Sequence, residues 1–392
     1  MVKFSQRIQK VKPSATLTIN AKAAELRAQG KEVISLAVGE PDFAPPESVL
    51  NGAREAIDKV MTKYTPAAGL PEVLDAICGY YNKFYSIDAK RQNIIITNGG
   101  KQGLYNLMQI LLDPEDEVLI PAPCWLSYPD MVLLADGKPV IVPTEAENNF
   151  FVTKEDLEKY LTSKTKILIL NTPSNPTGCH YSQEQFDEIC KWAISKDLFI
   201  ISDEIYDQLV YPPAKPTSAS KWFVRYPENV AIVNGLSKSF AIPGWRVGYV
   251  IAHEEVIKNF SKLQGQSTSN VCSIAQMATL KALTGDLGFL EKNREKFIER
   301  KDYIVKRIQE IKGVVCPIPT GAFYVFPRVD ALYTDKINNS TKFCEYLLDE
   351  ASVALVPGVV FGDDRCIRFS YAVDIKTLEK AMDQIIKAID KL

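Results

Sequence analysis

The stretch that decides the fold is NVAIVNGLSKSFAIPGWRVGYVI, residues 229–251. Two short apolar runs, VAIVN (230–234) and VGYVI (247–251), bracket a loop of small and apolar residues. Buried strands read this way, because helices cover both faces of the sheet and leave no polar alternation. The loop carries Lys238, with Arg246 eight positions further on. A lysine in such a setting has few salt-bridge partners nearby in sequence, so its ammonium group needs a chemical reason.

Further runs of the same kind lie upstream: NIIIT (93–97), EVLIP (117–121), PVIVP (139–143), KILIL (166–170) and LFIIS (198–202). Helix-spaced apolar residues alternate with them. Val49, Ala53, Ala56, Ile57 and Val60 follow Pro45-Pro46-Glu47, and Leu104, Leu107, Met108 and Leu111 follow Gly99-Gly100. Strands alternating with helices predict an α/β domain with a mainly parallel sheet over residues 50–285. The ends differ. Residues 286–312 read as a charged helix, and AFYVFP (322–327), SVALVP (352–357) and CIRFSY (366–371) read as strands of another sheet. Leu378, Met382, Ile385, Ile386 and Ile389 form the apolar stripe of a closing helix. A helix at about 16–29 and the strand EVISLAV (32–38) are expected to join this second unit, giving a small domain from 1–49 and 286–392. There is no linker tract, internal repeat or low-complexity segment between the two.

Composition narrows the chemistry. The 392 residues are 46% hydrophobic and 24% charged, ordinary for a globular protein, and the formal net charge of −2 creates no field favouring nucleic acid or membrane. The N-terminus, MVKFSQRIQKVKPS, lacks the apolar core of a secretion signal, and no apolar run is long enough to span a bilayer. Eight scattered cysteines without a C-x-x-C pair, and only His180 and His253, exclude zinc-site spacing. The cysteines read as reduced thiols of a cytoplasmic protein, and no metal is expected. Two histidines make a histidine-based triad a poor expectation.

In an open α/β sheet ligands bind beyond the carboxyl ends of the strands. NIIIT is followed by Asn98-Gly99-Gly100-Lys101, whose backbone N–H groups at a helix start suit an anion. No G-x-x-x-x-G-K-[ST] or G-x-G-x-x-G pattern accompanies it, which disfavours nucleotide and nicotinamide sites. KILIL leads to Asn171-Thr172-Pro173-Ser174-Asn175-Pro176, LFIIS to Asp203-Glu204-Ile205-Tyr206, and VAIVN to Gly235-Leu236-Ser237-Lys238. Each feature alone is explained by a turn, a loop or a helix cap. Together they place glycine amides, an amide, an acid, a phenol, a hydroxyl and a lysine on one edge. That set suits a flat anion with a phosphate, an aldehyde and a basic ring nitrogen, as in pyridoxal phosphate. Desolvation would lower the lysine pKa and free its amine for Schiff-base formation.

The pattern G-L-S-K-x-x-A-I-x-G-x-R-V-G resembles the cofactor-attachment signature of class I aminotransferases. V-G-E-P-D-F, S-N-P-T-G, D-E-I-Y and I-R-F-S follow in that family's order over nearly the whole chain. The resemblance implies fold type I of the pyridoxal-phosphate enzymes: a seven-stranded, mainly parallel sheet, a small α+β domain from both termini, and a homodimer with composite active sites. It implies Lys238 as the Schiff-base lysine and proton carrier, and Asp203 as partner of the pyridine nitrogen. Tyr206 and Asn175 would meet the cofactor's phenolic oxygen. Ser237, Arg246 and the amides of Gly100 and Lys101 would hold its phosphate, Tyr64 would reach the neighbouring subunit's phosphate, and Trp125 would stack on the ring. Arg368 would fork onto the substrate α-carboxylate, assisted by Gly39, Trp125 and Asn175. The segment VKPSATLTINAKA (11–23) is similar to the bacterial aspartate/prephenate aminotransferase subgroup, which makes Lys12 a ligand for a distal carboxylate; Lys101 is a second candidate. A cation there favours a dicarboxylic substrate, because an apolar one would leave it buried and unpaired. The expected reaction is therefore ping-pong transfer of the amino group of L-aspartate to 2-oxoglutarate. Prephenate, aromatic or alanine transamination, and a β-lyase of another class, are the alternatives.

Overall fold

The computed structural model describes residues 2–11, 13 and 15–392. Its first strand, β1 (Ile34–Ser35), precedes a sheet of seven built from the runs read above. These are β2 (Ile94–Thr97), β3 (Glu117–Ala122), β4 (Lys138–Pro143), β5 (Thr165–Asn171), β6 (Phe199–Asp203), β7 (Val230–Gly235) and β8 (Gly248–Ile251). Their spatial order is β2-β8-β7-β6-β5-β3-β4. Only β8 runs against its neighbours, pairing antiparallel with both β2 and β7. The other six therefore share one direction and end on one edge. Side chains such as Ile95, Leu168, Ile200 and Ile232 are fully buried, because helices lie on both faces.

The remaining strands are short: β9 (Tyr324–Val325), β10 (Val353–Ala354), β11 (Val356–Pro357) and β12 (Ile367–Ser370). The single second sheet expected from the sequence is two sheets. β1 pairs in parallel with β10, and β11-β12-β9 form an antiparallel three-stranded sheet. SVALVP supplies one strand to each. Leu36 joins the two sheets, its N–H donating to the Ala354 carbonyl (2.9 Å) and its carbonyl accepting from Ser370 N–H (2.8 Å). The helices Phe289–Gln309 and Ile375–Ile389 cover these sheets, and Asp374 caps the second by accepting from Thr377 N–H at 3.0 Å. Phe297, Ile304, Phe323, Leu378, Met382 and Ile385 fill a core separate from those of the large sheet.

The helix after Pro45-Pro46 ends before Val60, the last of the helix-spaced residues. Helix Glu47–Asp58 buries Val49, Gly52 and Ala56, but Ile57 and Val60 are exposed. Val60 lies past the helix in the left-handed region, at φ 53°. No helix among the described residues is long and apolar enough to cross a membrane.

An ion pair between a buried arginine and a partly exposed aspartate fastens the loop that follows β1 to the second core. Arg300 forks onto Asp42, Nη1 to Oδ1 and Nη2 to Oδ2, both at 2.8 Å, and its guanidinium lies 4.9 Å from the Phe43 ring centre. Removing Arg300 leaves Asp42 to water, so the loss is that of the forked hydrogen bonds and the aromatic contact. Arg300→Ala is expected to lower the unfolding free energy by about 1–2 kcal/mol, with Arg300→Lys recovering only part, since it keeps the charge but loses the fork. Denaturant unfolding measures both; a variant as stable as the parent would show that the pair holds nothing.

Candidate active site

The carboxyl edge of the large sheet opens into a cavity of about 590 Å³, lined by residues of both cores, a volume typical of small-molecule sites. Backbone register lines up the groups at its floor. Asn171 of β5 is paired with Asp203 of β6, and Gly235 of β7 with Gly248 of β8, which in turn pairs with Thr97 of β2. The functional side chains stand on these rungs or a few residues beyond them.

Lys238 follows β7 by three residues and is half-buried. Its Nζ donates to the Gly39 carbonyl at 2.6 Å. Lost hydration pushes its ammonium down to about 8; Glu40 and Asp203 oppose this, while Arg368 and Arg246 add to it. Asp203 is buried at the end of β6. Tyr128 donates to its Oδ2 at 2.6 Å and Ile205 N–H to its Oδ1 at 3.2 Å. Burial pushes this carboxyl up to about 6 against those hydrogen bonds and the Lys238 charge. A cation beside Asp203 would reverse that shift, so the position suits a protonated ring nitrogen.

Arg368, on β12, is 2% exposed. Nη1 donates to Asn175 Oδ1 and Nη2 to the Ala37 carbonyl, both at 2.8 Å, and the guanidinium lies 4.6 Å and 4.9 Å from the ring centres of Tyr324 and Phe361. Its Nε is buried without a partner. Arg368 lines the cavity with hydrogen-bonding capacity left over, which suits a carboxylate. The bond from Arg368 fixes the Asn175 amide with its oxygen towards the arginine, leaving Nδ2 as donor.

The opposite side carries an anion cradle. Helix Gly100–Leu111 begins at the cavity, and the Gly100 and Lys101 N–H groups donate to nothing among the described residues. Arg246 sits beside them, its Nη2 donating to the Asn98 carbonyl at 3.2 Å. Gly99 has φ 84°, and a side chain there would run into the Arg246 guanidinium, so only glycine serves. Ser237 lines the same wall. Trp125 is half-buried against Tyr128, ring centres 5.3 Å apart, and the Lys101 ammonium lies 4.9 Å over the Trp125 ring. Lost hydration, then Arg246, press Lys101 below its ordinary value.

The cavity thus gathers Gly39, Gly100, Lys101, Trp125, Asn175 and Asp203, and with them Tyr206, Ser237, Lys238, Arg246 and Arg368. Two expected residues are not among them. Tyr64 stands outside, 90% exposed, and Lys12 lies outside the described residues. The sequence reading passed over Tyr128, Tyr324, Asn171 and Glu40, all of which line the cavity. Asn171 had a signal, since it ends a buried strand; Glu40 sat within the quoted V-G-E-P-D-F. The charged lining is four cations (Lys101, Lys238, Arg246, Arg368) against two carboxylates (Glu40, Asp203). Free helix-start amides, a hydroxyl and an arginine at one side, an acid at the floor and a low-pKa lysine between them fit the donor set that pyridoxal phosphate requires.

Comparison with known proteins agrees with this geometry. The chain is 41% identical to the aspartate aminotransferase of Bacillus subtilis (strain 168), with 100% of each covered. It is 41% identical to the aspartate/prephenate aminotransferase of Cereibacter sphaeroides, with 98% of each covered. The crystal structure of the aspartate aminotransferase from Rhizobium meliloti superimposes with a TM-score of 0.96 at 36% identity, covering 100% of both chains. The sequence model described as aminotransferase class I and II matches residues 31–385. A low-pKa lysine and a buried acid on one sheet edge, within a match that spans almost the whole chain, have one account: this chain belongs to the class I and II aminotransferases, a family of pyridoxal-phosphate-dependent transaminases acting on amino acids and oxo acids.

Proposed function

We propose that the chain binds pyridoxal phosphate at this cavity and transfers the amino group of L-aspartate to 2-oxoglutarate. The observation that carries the reading is the arrangement of cations: Arg368, with its unpartnered Nε, and Lys101, held over the Trp125 ring, both line the cavity that holds Lys238. Two separate cations besides the Arg246 cradle suit a substrate with two carboxylates. The names of the relatives in Bacillus and Rhizobium point the same way.

When bound, pyridoxal phosphate supplies an aldehyde that captures amines and a ring that accepts the electron pair of a broken Cα–H bond. The chain does the rest. Gly100 and Lys101 N–H, Ser237 Oγ and Arg246 hold the phosphate, and Trp125 stacks against the ring. Asp203 holds a proton on the ring nitrogen, and Tyr128 holds Asp203. Tyr206 and Asn175 Nδ2 donate to the phenolic oxygen. Arg368 orients the substrate by its α-carboxylate, and Lys238 Nζ takes the proton from Cα and returns it one position away. Residues 1–49 and 286–392 form the small domain of this reading, 50–285 the large one, and carboxylate capture by Arg368 draws them together and excludes water. Tyr64, an exposed phenol outside its own cavity, supports a homodimer in which it completes the partner's phosphate site; an active monomer in sedimentation would remove that part. Lys12 remains a proposed second ligand of the distal carboxylate.

The test is a titration of the holoenzyme's visible absorbance with single amino acids. L-Aspartate and L-glutamate are expected to bleach the band at lower concentration than L-asparagine, L-alanine or L-phenylalanine. Lys101→Ser, which keeps the backbone amide, is expected to cut kcat/KM for aspartate by roughly 10–100-fold and to spare alanine. Equal losses for both would return Lys101 to a phosphate-side role.

Lys238 also sets a pH signature. Its folded pKa lies below that of free lysine, so the neutral amine is reached earlier as pH rises. The rate at which cofactor-free protein takes up pyridoxal phosphate should climb to about 8 and then level. A rate still climbing above pH ~9, as for a solvated lysine, contradicts the desolvated site.

A further inference from the structure

Tyr324, on β9, touches two residues of the site at once. Its hydroxyl lies 3.0 Å from the Tyr206 hydroxyl, and its ring centre 4.6 Å from the Arg368 guanidinium. It is 1% exposed and lines the cavity beside both. We propose that Tyr324 is a positioning residue for transamination: its hydroxyl donates to Tyr206, aiming the Tyr206 proton into the cavity, while its ring face holds the Arg368 guanidinium in place. The inference rests on the pyridoxal-phosphate reading given above.

Either phenol could donate across this contact, and the pyridoxal-phosphate reading sets the direction, because it has Tyr206 donating to the phenolic oxygen. Each phenol has one proton, and burial, first among the causes, keeps both above their ordinary pKa and therefore neutral at working pH. Were Tyr206 the donor to Tyr324, it would have no proton left for the phenolic oxygen it meets in that reading. With Tyr324 as donor, its own proton is used and that of Tyr206 faces the cavity. The donated bond polarises the Tyr206 hydroxyl and makes it a stronger donor. Gly39 makes room for this arrangement, since a Cβ there would come within 2.5 Å of the Tyr324 hydroxyl oxygen.

The ring does different work. Arg368 spends Nη1 and Nη2 on Asn175 and Ala37, and the Tyr324 and Phe361 faces lie against its plane. Contact with aromatic faces steadies a desolvated guanidinium without neutralising it as a carboxylate would. The charge stays available for a substrate carboxylate in the cavity that Arg368 lines.

Two variants separate the functions, both read on the holoenzyme. Tyr324→Phe removes only the hydroxyl; Tyr324→Leu removes the ring as well. The first readout is the pH midpoint of the visible absorbance band. A weaker Tyr206 donor leaves more negative charge on the cofactor's phenolic oxygen, which favours the proton on the nitrogen contributed by Lys238. Both variants should therefore raise the midpoint, by roughly half a unit. Tyr206→Phe should raise it further, and adding Tyr324→Phe to that variant should raise it no more. The second readout is the Kd for maleate, a dicarboxylate without an amino group, followed by the same absorbance. It should stay within about twofold in Tyr324→Phe and weaken about tenfold in Tyr324→Leu. An unchanged midpoint in Tyr324→Phe, additive shifts in the double variant, or equal effects of both substitutions on both readouts overturn the proposal. A parent protein with no visible band overturns the cofactor reading and this inference with it, so the two failures are distinguishable.

Discussion

Six strands of the large sheet run in one direction, and the site depends on that constraint more than on any single contact. Parallel strands deliver their carboxyl ends to the same edge, and their register fixes the depth at which each next residue emerges. Asn171 and Asp203 are opposite one another on neighbouring strands, as are Gly235, Gly248 and Thr97. Lys238, Tyr206, Asn175 and Gly100 each follow such a rung by three or four residues. Groups more than a hundred residues apart in sequence are thereby held together by backbone pairing, which costs the loops little extra ordering. β8, reversed between β2 and β7, places Arg246 at its amino end, so that it too meets this edge.

What the sheet assembles is electrostatically expensive. Four cations and two carboxylates share one cavity, and Arg368 is almost wholly removed from water. The pressures show in opposite directions: Lys238 is pushed towards its neutral amine and Asp203 towards its neutral acid, both chiefly by burial. The Lys238 shift lies towards its proposed use, and the Asp203 shift is one that the proposed ring cation would reverse. An amine that readily loses its proton is a nucleophile and a base, and an acid that regains its charge when a cation arrives holds that cation tightly. The buried Nε of Arg368 expresses the same tension as an unmade hydrogen bond. Residues that would relieve these penalties would also remove the chemistry.

The strands and the residues just beyond them were legible in the sequence, because a buried parallel strand has an unambiguous apolar run and the rule about carboxyl ends says where to look. That rule gathered Asn175, Asp203, Tyr206, Ser237 and Lys238. It could not find Tyr324, whose run AFYVFP reads as strand packing and whose partner Tyr206 lies 118 residues away. Tyr128 was hidden for the same reason: inside helix Ser127–Leu134 it reads as a core aromatic, and only the fold brings Asp203 to its hydroxyl. Arg368 and Trp125 were legible only by resemblance, since a lone arginine or tryptophan has no local signature. The short strands of the second unit were read as one sheet because a six-residue apolar run carries no mark of the point at which its pairing changes partner. Periodicity also carried one helix too far, to Val60, because apolar spacing alone does not mark where a helix ends.

The seam between the two cores runs through the site, and this gives the geometry its mechanical sense. Tyr206, Leu209 and Tyr211 follow β6 of the large sheet, yet they pack with Phe297, Phe323 and Tyr371 in the second core. At the cavity the two sides are tied by a few polar contacts: Tyr206 to Tyr324, Arg368 to Asn175, and Lys238 to the Gly39 carbonyl. Each tie includes a group proposed to meet cofactor or substrate. A substrate carboxylate at Arg368 therefore pulls on the same arginine that grips Asn175, and an amine that occupies Lys238 releases Gly39. Capture of a carboxylate at Arg368 and of an amine at Lys238 would thus both draw on the hydrogen bonds that tie the two cores at the cavity.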